Sequence, residues 1–121
     1  MSKILIVDDD FIITELMKAL VKIDGHEPII VNDSLQAVDV AKSVKPDLIT
    51  LDLMMPGLTG FDLCKILHDD PEFLNTPIII VSAKDDAESK KNALNLGAKD
   101  YLIKPFNVNE FLERIKFLIT N

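Results

Sequence analysis

The chain has 121 residues, 48% of them apolar, and no low-complexity tract, which suits one packed domain over 1–121 and excludes disorder. Its net charge of −7 argues against direct nucleic-acid binding, which needs clustered Lys and Arg, and its single cysteine, Cys64, cannot form an internal bridge. Met1-Ser2-Lys3 carries no signal-peptide pattern and no apolar run reaches the ~20 residues that span a bilayer, so a cytoplasmic domain without membrane contact is expected.

In chain order, residues 4–7 form the first predicted strand and run into Asp8-Asp9-Asp10. A helix over 10–23 follows, with Ile13, Leu16, Met17, Leu20 and Ile23 on one face and Asp24-Gly25 as its stop. Residues 28–31 are the second strand. Asn32-Asp33 turn the chain and cap a helix over 34–44, with Pro46 beyond its end. The third strand, 48–51, ends in Asp52. A helix over 60–67 carries Phe61, Leu63, Cys64, Ile66 and Leu67, and Cys64 is expected in the core. Residues 68–77 are polar with two prolines and are expected to be a surface loop. The fourth strand, 78–81, leads into Ser82-Ala83-Lys84. The helix over 85–96 is poor in apolar residues and ends at Gly97. The fifth strand, 101–103, meets Lys104-Pro105. The last helix, 107–119, opens with Asn107 and Glu110, a variant capping box, and packs through Val108, Phe111, Leu112, Ile115 and Ile119.

The strands are continuous apolar runs, as expected when both faces of a sheet are covered. Strict alternation of strand and helix predicts an α/β fold, (βα) five times over, with a parallel sheet. Such sheets bind ligands beyond the carboxyl ends of their strands. Four strands of this chain place Asp8-Asp9-Asp10, Asp52, Ser82 and Lys104 on that one edge.

Carboxylates brought so close repel one another. Two unit charges ~4 Å apart repel by about 4 kcal/mol at an effective dielectric of 20. A cation or a proton must compensate. An all-oxygen donor set without clustered His or Cys selects a hard ion, Mg²⁺ first and Mn²⁺ as a substitute. The plainer reading, that Asp8-Asp9-Asp10 only cap a helix, suits Asp10 but does not explain Asp52 and Lys104. Asp52 is the candidate nucleophile, able to form an acyl phosphate. Ser82 can donate to a phosphoryl oxygen, and Lys104 supplies a compact positive charge. Alone, each of these two would read as an ordinary turn residue. Their joint placement makes the case. Trans is the default for Lys104-Pro105 from sequence alone.

These residues resemble the receiver domain of two-component response regulators. The matching pieces are residues 4–10, 47–60, 78–84 and 97–106, spread over the whole chain in order. The resemblance implies a flavodoxin-like doubly wound sheet of strand order 2-1-3-4-5. It implies that Asp52 accepts phosphate from a sensor histidine kinase or a histidine phosphotransfer protein, becoming 4-aspartylphosphate. It implies Mg²⁺ held by Asp8, Asp9, Asp52 and the backbone carbonyl of Met54. Ser82 and Lys104 would contact the phosphoryl group, and Tyr101 would be an aromatic switch that turns inward on activation. Lys104-Pro105 is expected cis. Met54 and Lys84 stand where phosphate lifetime is tuned. Two aromatics off the core stripes are partner candidates. Phe11 would face the phosphodonor. Phe117, on the wheel near Arg114 and Asn121, would face an output domain or a homodimer partner met through the last two helices and strand. A stand-alone regulator and the receiver of a longer protein both fit the sequence. Two other readings stay open at this point: a phosphatase with an Asp nucleophile, disfavoured because Met54 stands where a second Asp would act as acid, and a receiver-like scaffold that is never phosphorylated.

Overall fold

The structure, a computed structural model, describes residues 2–120; Met1 and Asn121, the latter named above as a neighbour of Phe117, lie outside the described residues. Five strands, β1 (Lys3–Val7), β2 (Glu27–Val31), β3 (Leu48–Leu51), β4 (Ile78–Ser82) and β5 (Asp100–Ile103), form one sheet in the order β2-β1-β3-β4-β5. Every neighbouring pair is parallel. The connecting helices are α1 (Phe11–Ile23), α2 (Ala37–Val44), α3 (Gly60–Asp69), α4 (Ala87–Asn95) and α5 (Val108–Thr120). This is the flavodoxin-like doubly wound arrangement.

Pleating divides the core in two. Leu5, Val7, Ile49, Leu51 and Ile80 point to one side, where Ala41, Leu63, Cys64 and Ala93 of α2, α3 and α4 cover them. Ile4, Ile6, Leu48, Ile79 and Val81 point to the other, against Met17 and Val21 of α1 and Phe111 and Ile115 of α5. Both faces are therefore dry, which is why the strands read as unbroken apolar runs. Among the described residues no helix is long and apolar enough to cross a membrane.

The helix starts follow side-chain chemistry. Asp10 accepts from the Ile12 and Ile13 amides and is the cap of α1 rather than its first residue. Thr59 and Asp62 form a reciprocal capping box at α3. Asp86 caps α4 by accepting from Ser89 N–H, so that helix starts two residues later than the sequence suggests. Asn107 accepts from Glu110 N–H at the start of α5. Residues Ser34–Gln36 form a 3-10 turn ahead of α2 rather than its first turn.

Three core expectations are corrected. On α1, Leu16 is 44% and Ile23 82% exposed, whereas Thr14 is wholly buried. The buried stripe runs through Thr14, Met17 and Val21, because the Thr14 hydroxyl is satisfied by the Phe11 carbonyl and can enter the core. On α5, Val108 is exposed and the stripe rests on Phe111 and Ile115. The stretch over 68–77 is more than a surface loop: α3 continues to Asp69, and a 3-10 turn over Pro71–Phe73 inserts Phe73 into the core.

Gly60 brings α3 against the strand end that carries Asp52. A Cβ there would lie 2.1 Å from the Asp52 carbonyl oxygen and 2.7 Å from Leu53 Cα. Gly60→Ala is expected to lower unfolding free energy by about 3 kcal/mol or more, the top of the overpacking range. Gly25, at φ +88° in an open turn with nothing within 4 Å of a Cβ, is the contrast. Gly25→Ala should lose only about 1–2 kcal/mol, for left-handed backbone alone. Urea unfolding of both variants checks this, and equal losses would contradict the steric account.

Candidate functional site

Parallel pairing puts the ends of β1, β3, β4 and β5 on one edge. Val7 pairs with Leu51, and Ser82 pairs with Ile103, so Asp8, Asp52, Ser82 and Lys104 leave the sheet side by side. The Asp52 N–H donates to the Val7 carbonyl at 3.1 Å, and the Lys104 N–H donates to the Ser82 carbonyl at 2.9 Å. Backbone bonds thus continue past the strands into the site.

Asp8 and Asp52 are buried and Asp9 is exposed, and one carboxylate oxygen from each lies within 4.8 Å of the others. Asp8 Oδ1 accepts from the Asp10 N–H at 3.0 Å, and Asp8 Oδ2 accepts from Lys104 Nζ at 2.6 Å. The same ammonium is 3.6 Å from Asp52 Oδ2. Asp52 Oδ1 accepts from Met54 N–H at 3.4 Å. Burial first, and then the Asp8 charge, push the Asp52 carboxyl above its ordinary value; Lys104, the Met54 amide and the Ser82 hydroxyl pull it back. Repulsion and desolvation outweigh the Lys104 ammonium. Three carboxylates without His or Cys, short of positive charge, fit a hard divalent ion with oxygen ligands.

The other predicted residues fall around this cluster. Ser82 is wholly buried at the end of β4, and its Oγ accepts from Lys84 N–H at 3.3 Å. The Tyr101 side chain packs against the core cluster on the α2–α3–α4 face of the sheet, and its hydroxyl donates to the Lys84 carbonyl at 2.6 Å. Burial raises the Tyr101 hydroxyl above its ordinary pKa. The Lys104–Pro105 peptide bond is cis. Met54 is exposed and Lys84 half-buried. Asp10 turns to α1 and stands apart from the acidic cluster. Phe11 is exposed at the rim of the cluster, on α1. Phe117 is exposed on α5, far along the chain, in a shallow hollow with Asp100, Glu113 and Arg114. Arg114 in turn pairs with Asp100 and lies 3.8 Å from Glu110.

Two residues beside the site escaped the sequence reading. From sequence Asn32 reads as a turn residue and Ser34 as the start of a helix. Both reach loops of the site, through bonds to Asp8 and to residues 56–58. The available signal was their position directly beyond β2, on the same sheet edge.

Residues 4–116 match the family described as the response regulator receiver domain. The DNA-binding response regulator MtrA of Mycolicibacterium paratuberculosis is 35% identical over 115 residues, which cover 95% of this chain and 50% of that protein. The alkaline phosphatase synthesis transcriptional regulatory protein PhoP of Bacillus subtilis is 39% identical over 118 residues, covering 98% and 48%. The chain thus spans about half the length of these curated relatives. Among solved structures, a putative response regulator from Chloroflexus aurantiacus superposes with a TM-score of 0.94 at 30% identity, covering 99% of this chain and 98% of that one. The receiver domain of Francisella response regulator 1452 superposes with a TM-score of 0.91 at 36% identity, covering 99% and 98%.

A carboxyl whose pKa is raised on folding binds its proton more tightly folded than unfolded. Stability then falls as pH rises from the ordinary value of 3.8 through the raised one, and above that window the charged Asp52 weighs against folding. Asp52→Asn is therefore expected to raise the thermal midpoint near neutral pH in metal-free buffer. The gain should shrink toward about pH 4, where the carboxylate reference range begins. Added Mg²⁺ should stabilise the parent chain more than the variant. Thermal melts with and without chelator check both, and a variant less stable than the parent at neutral pH would contradict the assignment.

Proposed function

Because this chain belongs to the response regulator receiver domain family, we propose that it is a phosphorylation-controlled switch with Asp52 as its phosphoacceptor. Receiver domains are signalling modules of two-component systems. The phosphodonor is a phosphohistidine on a sensor histidine kinase or a phosphotransfer protein. An Asp52 carboxylate oxygen attacks phosphorus, the P–N bond breaks with its electron pair returning to the imidazole, and an aspartyl phosphate remains. Asp8, Asp9, Asp52 and the Met54 carbonyl would hold Mg²⁺, or Mn²⁺ in its place, which supplies charge stabilisation to the phosphoryl oxygens when bound.

The observation that supports this reading most is the Lys104 ammonium, 2.6 Å from Asp8 and 3.6 Å from Asp52. It leaves Asp52 in reach of a cation that can pass to a phosphoryl oxygen as charge builds there. Phosphorylation adds roughly −1.5 to −2 charges. Ser82 and Lys104 then turn toward the phosphoryl group. Tyr101 carries the change to the β4–α4 segment through its bond to the Lys84 carbonyl. Met54 and Lys84 border the acyl phosphate and set its lifetime. Phe11 lies where the phosphodonor must approach. Phe117 belongs to the α4-β5-α5 face, which meets an output domain, a separate target or a second copy of the chain. A hydrolase reading gains nothing from the geometry, since exposed Met54 offers no acid two residues beyond Asp52.

Incubation with acetyl phosphate, followed by intact mass, tests the proposal. One phosphoryl adduct is expected, requiring Mg²⁺ and lost in Asp52→Asn. An adduct that survives in Asp52→Asn would place the acceptor elsewhere, and steady phosphate release without an adduct would make the chain a hydrolase.

A further inference from the structure

The junction between β2 and α2 supplies none of the groups assigned to metal or phosphate. Its side chains nevertheless hold both loops that do. Asn32 Nδ2 donates to the Asp8 carbonyl at 2.8 Å and to Thr14 Oγ1 at 3.2 Å. The Asp8 N–H donates to the Val31 carbonyl at 3.1 Å, so the end of β2 grips the Asp8 backbone by both its polar groups. Ser34 is buried on the other side of the junction. Its Oγ donates to the Pro56 carbonyl at 2.8 Å and accepts from the Leu58 N–H at 3.0 Å, closing the loop that follows Asp52. That loop sits directly on the hydroxyl: a Cβ at Gly57 would come within 3.2 Å of Ser34 Oγ. None of these side-chain bonds belongs to a local turn, the partners being 22 or 24 residues apart except for the Asn32–Thr14 pair at 18.

We propose that Asn32 and Ser34 are positioning residues, a clamp that sets the spacing between the Asp8–Asp9 loop and the Asp52–Met54 loop and thereby the affinity for the divalent cation. This rests on the reading of the acidic cluster as a Mg²⁺ site. The physical case is mechanical. Asp8, Asp9 and Asp52 repel one another, so the two loops tend to part, and bonds that tie both to one short segment oppose that motion. Asn32 also fills the second need of the Asp8 residue, whose buried carbonyl would otherwise lose a donor. The clamp acts on ligand geometry through backbone, as outer-shell partners of metal ligands do.

The test uses Asn32→Ala and Ser34→Ala, which leave every proposed ligand in place. Mg²⁺ affinity is read from amide shift titrations, and loop order from hydrogen exchange in metal-free protein. Each variant is expected to bind Mg²⁺ about threefold to tenfold more weakly, at the foot of the range for outer-shell partners. Exchange at the Leu58 amide should quicken in Ser34→Ala, and at the Asp10 amide in Asn32→Ala. Phe73→Leu, a core change away from the junction, should leave Mg²⁺ affinity unchanged while lowering stability. Unchanged affinity in both clamp variants, or equal weakening in Phe73→Leu, overturns the proposal. If the parent chain itself shows no Mg²⁺ response, the metal reading fails and the clamp falls with it. Should Asn32→Ala not fold, Asn32→Ser, too short to span both acceptors, carries the same expectation.

Discussion

One ammonium faces carboxylates from two strands at the carboxyl edge of the sheet. Lys104 follows Asp8 by 96 residues, yet its Nζ lies 2.6 Å from that side chain. The contact exists only because β5 pairs with β4, β4 with β3, and β3 with β1. These three pairings must all be made before the acidic cluster meets its internal cation. Both partners are largely buried, so loss of one leaves a charge uncompensated, a change that costs about 3–5 kcal/mol in buried pairs. Fold and site are in this sense one construction, in which topology supplies the charge balance that the local sequence 8–10 lacks.

The sheet was legible because its chemistry is blunt. Five unbroken apolar runs, each followed by polar residues, leave little choice but a parallel sheet covered on both faces. The polar edge was legible for the same reason, since strand ends are easy to locate. The phase of α1 was not. Counting apolar residues favoured Leu16 and Ile23, but a threonine whose hydroxyl bonds within its own helix can face the core as well as an isoleucine can. Phe73 was hidden by polar neighbours and prolines that mimic a plain loop, although one of them, Pro71, starts the short turn that buries it. Asn32 and Ser34 were illegible in a stricter sense. Their bonds reach 18 to 24 residues away, and no local pattern distinguishes an asparagine that caps from one that holds a distant carbonyl.

The anchoring of α4 differs from that of its neighbours. Only Ser89 and Ala93 are buried in it, both small. Its contact with α3 includes the Cys64 thiol, 3.7 Å from the Leu96 carbonyl and 4.0 Å from the Ala93 carbonyl. Burial raises that thiol to about 11, so it stays neutral and serves as a weak donor rather than a reactive group. An element held by small side chains lies at the low end of local stability. The Tyr101 hydroxyl bonds to the Lys84 carbonyl, just ahead of this helix. In the proposed switch, a change at Ser82 and Lys104 thus reaches a helix that small side chains alone anchor.

The acidic edge sets a limit on how stable this chain can be. A sheet end carrying Asn in place of Asp52, with Asp8 still paired to Lys104, would avoid the repulsion and desolvation that raise the Asp52 carboxyl. The two dry clusters on either face of the sheet offset that burden, and nothing in their packing requires acids at the edge. A buried acid that opposes folding while its surroundings hold it in place is the mark of a site kept for binding rather than for structure. The same reasoning separates the two kinds of polar residue near it. The buried Asp52 charge works against the fold, whereas Asn32, Ser34 and Thr14 satisfy backbone groups and work for it. Charge held under tension by neutral donors gives a bound divalent ion, or a phosphoryl group with its ion, a direct way to relax the edge and to alter what lies next to it.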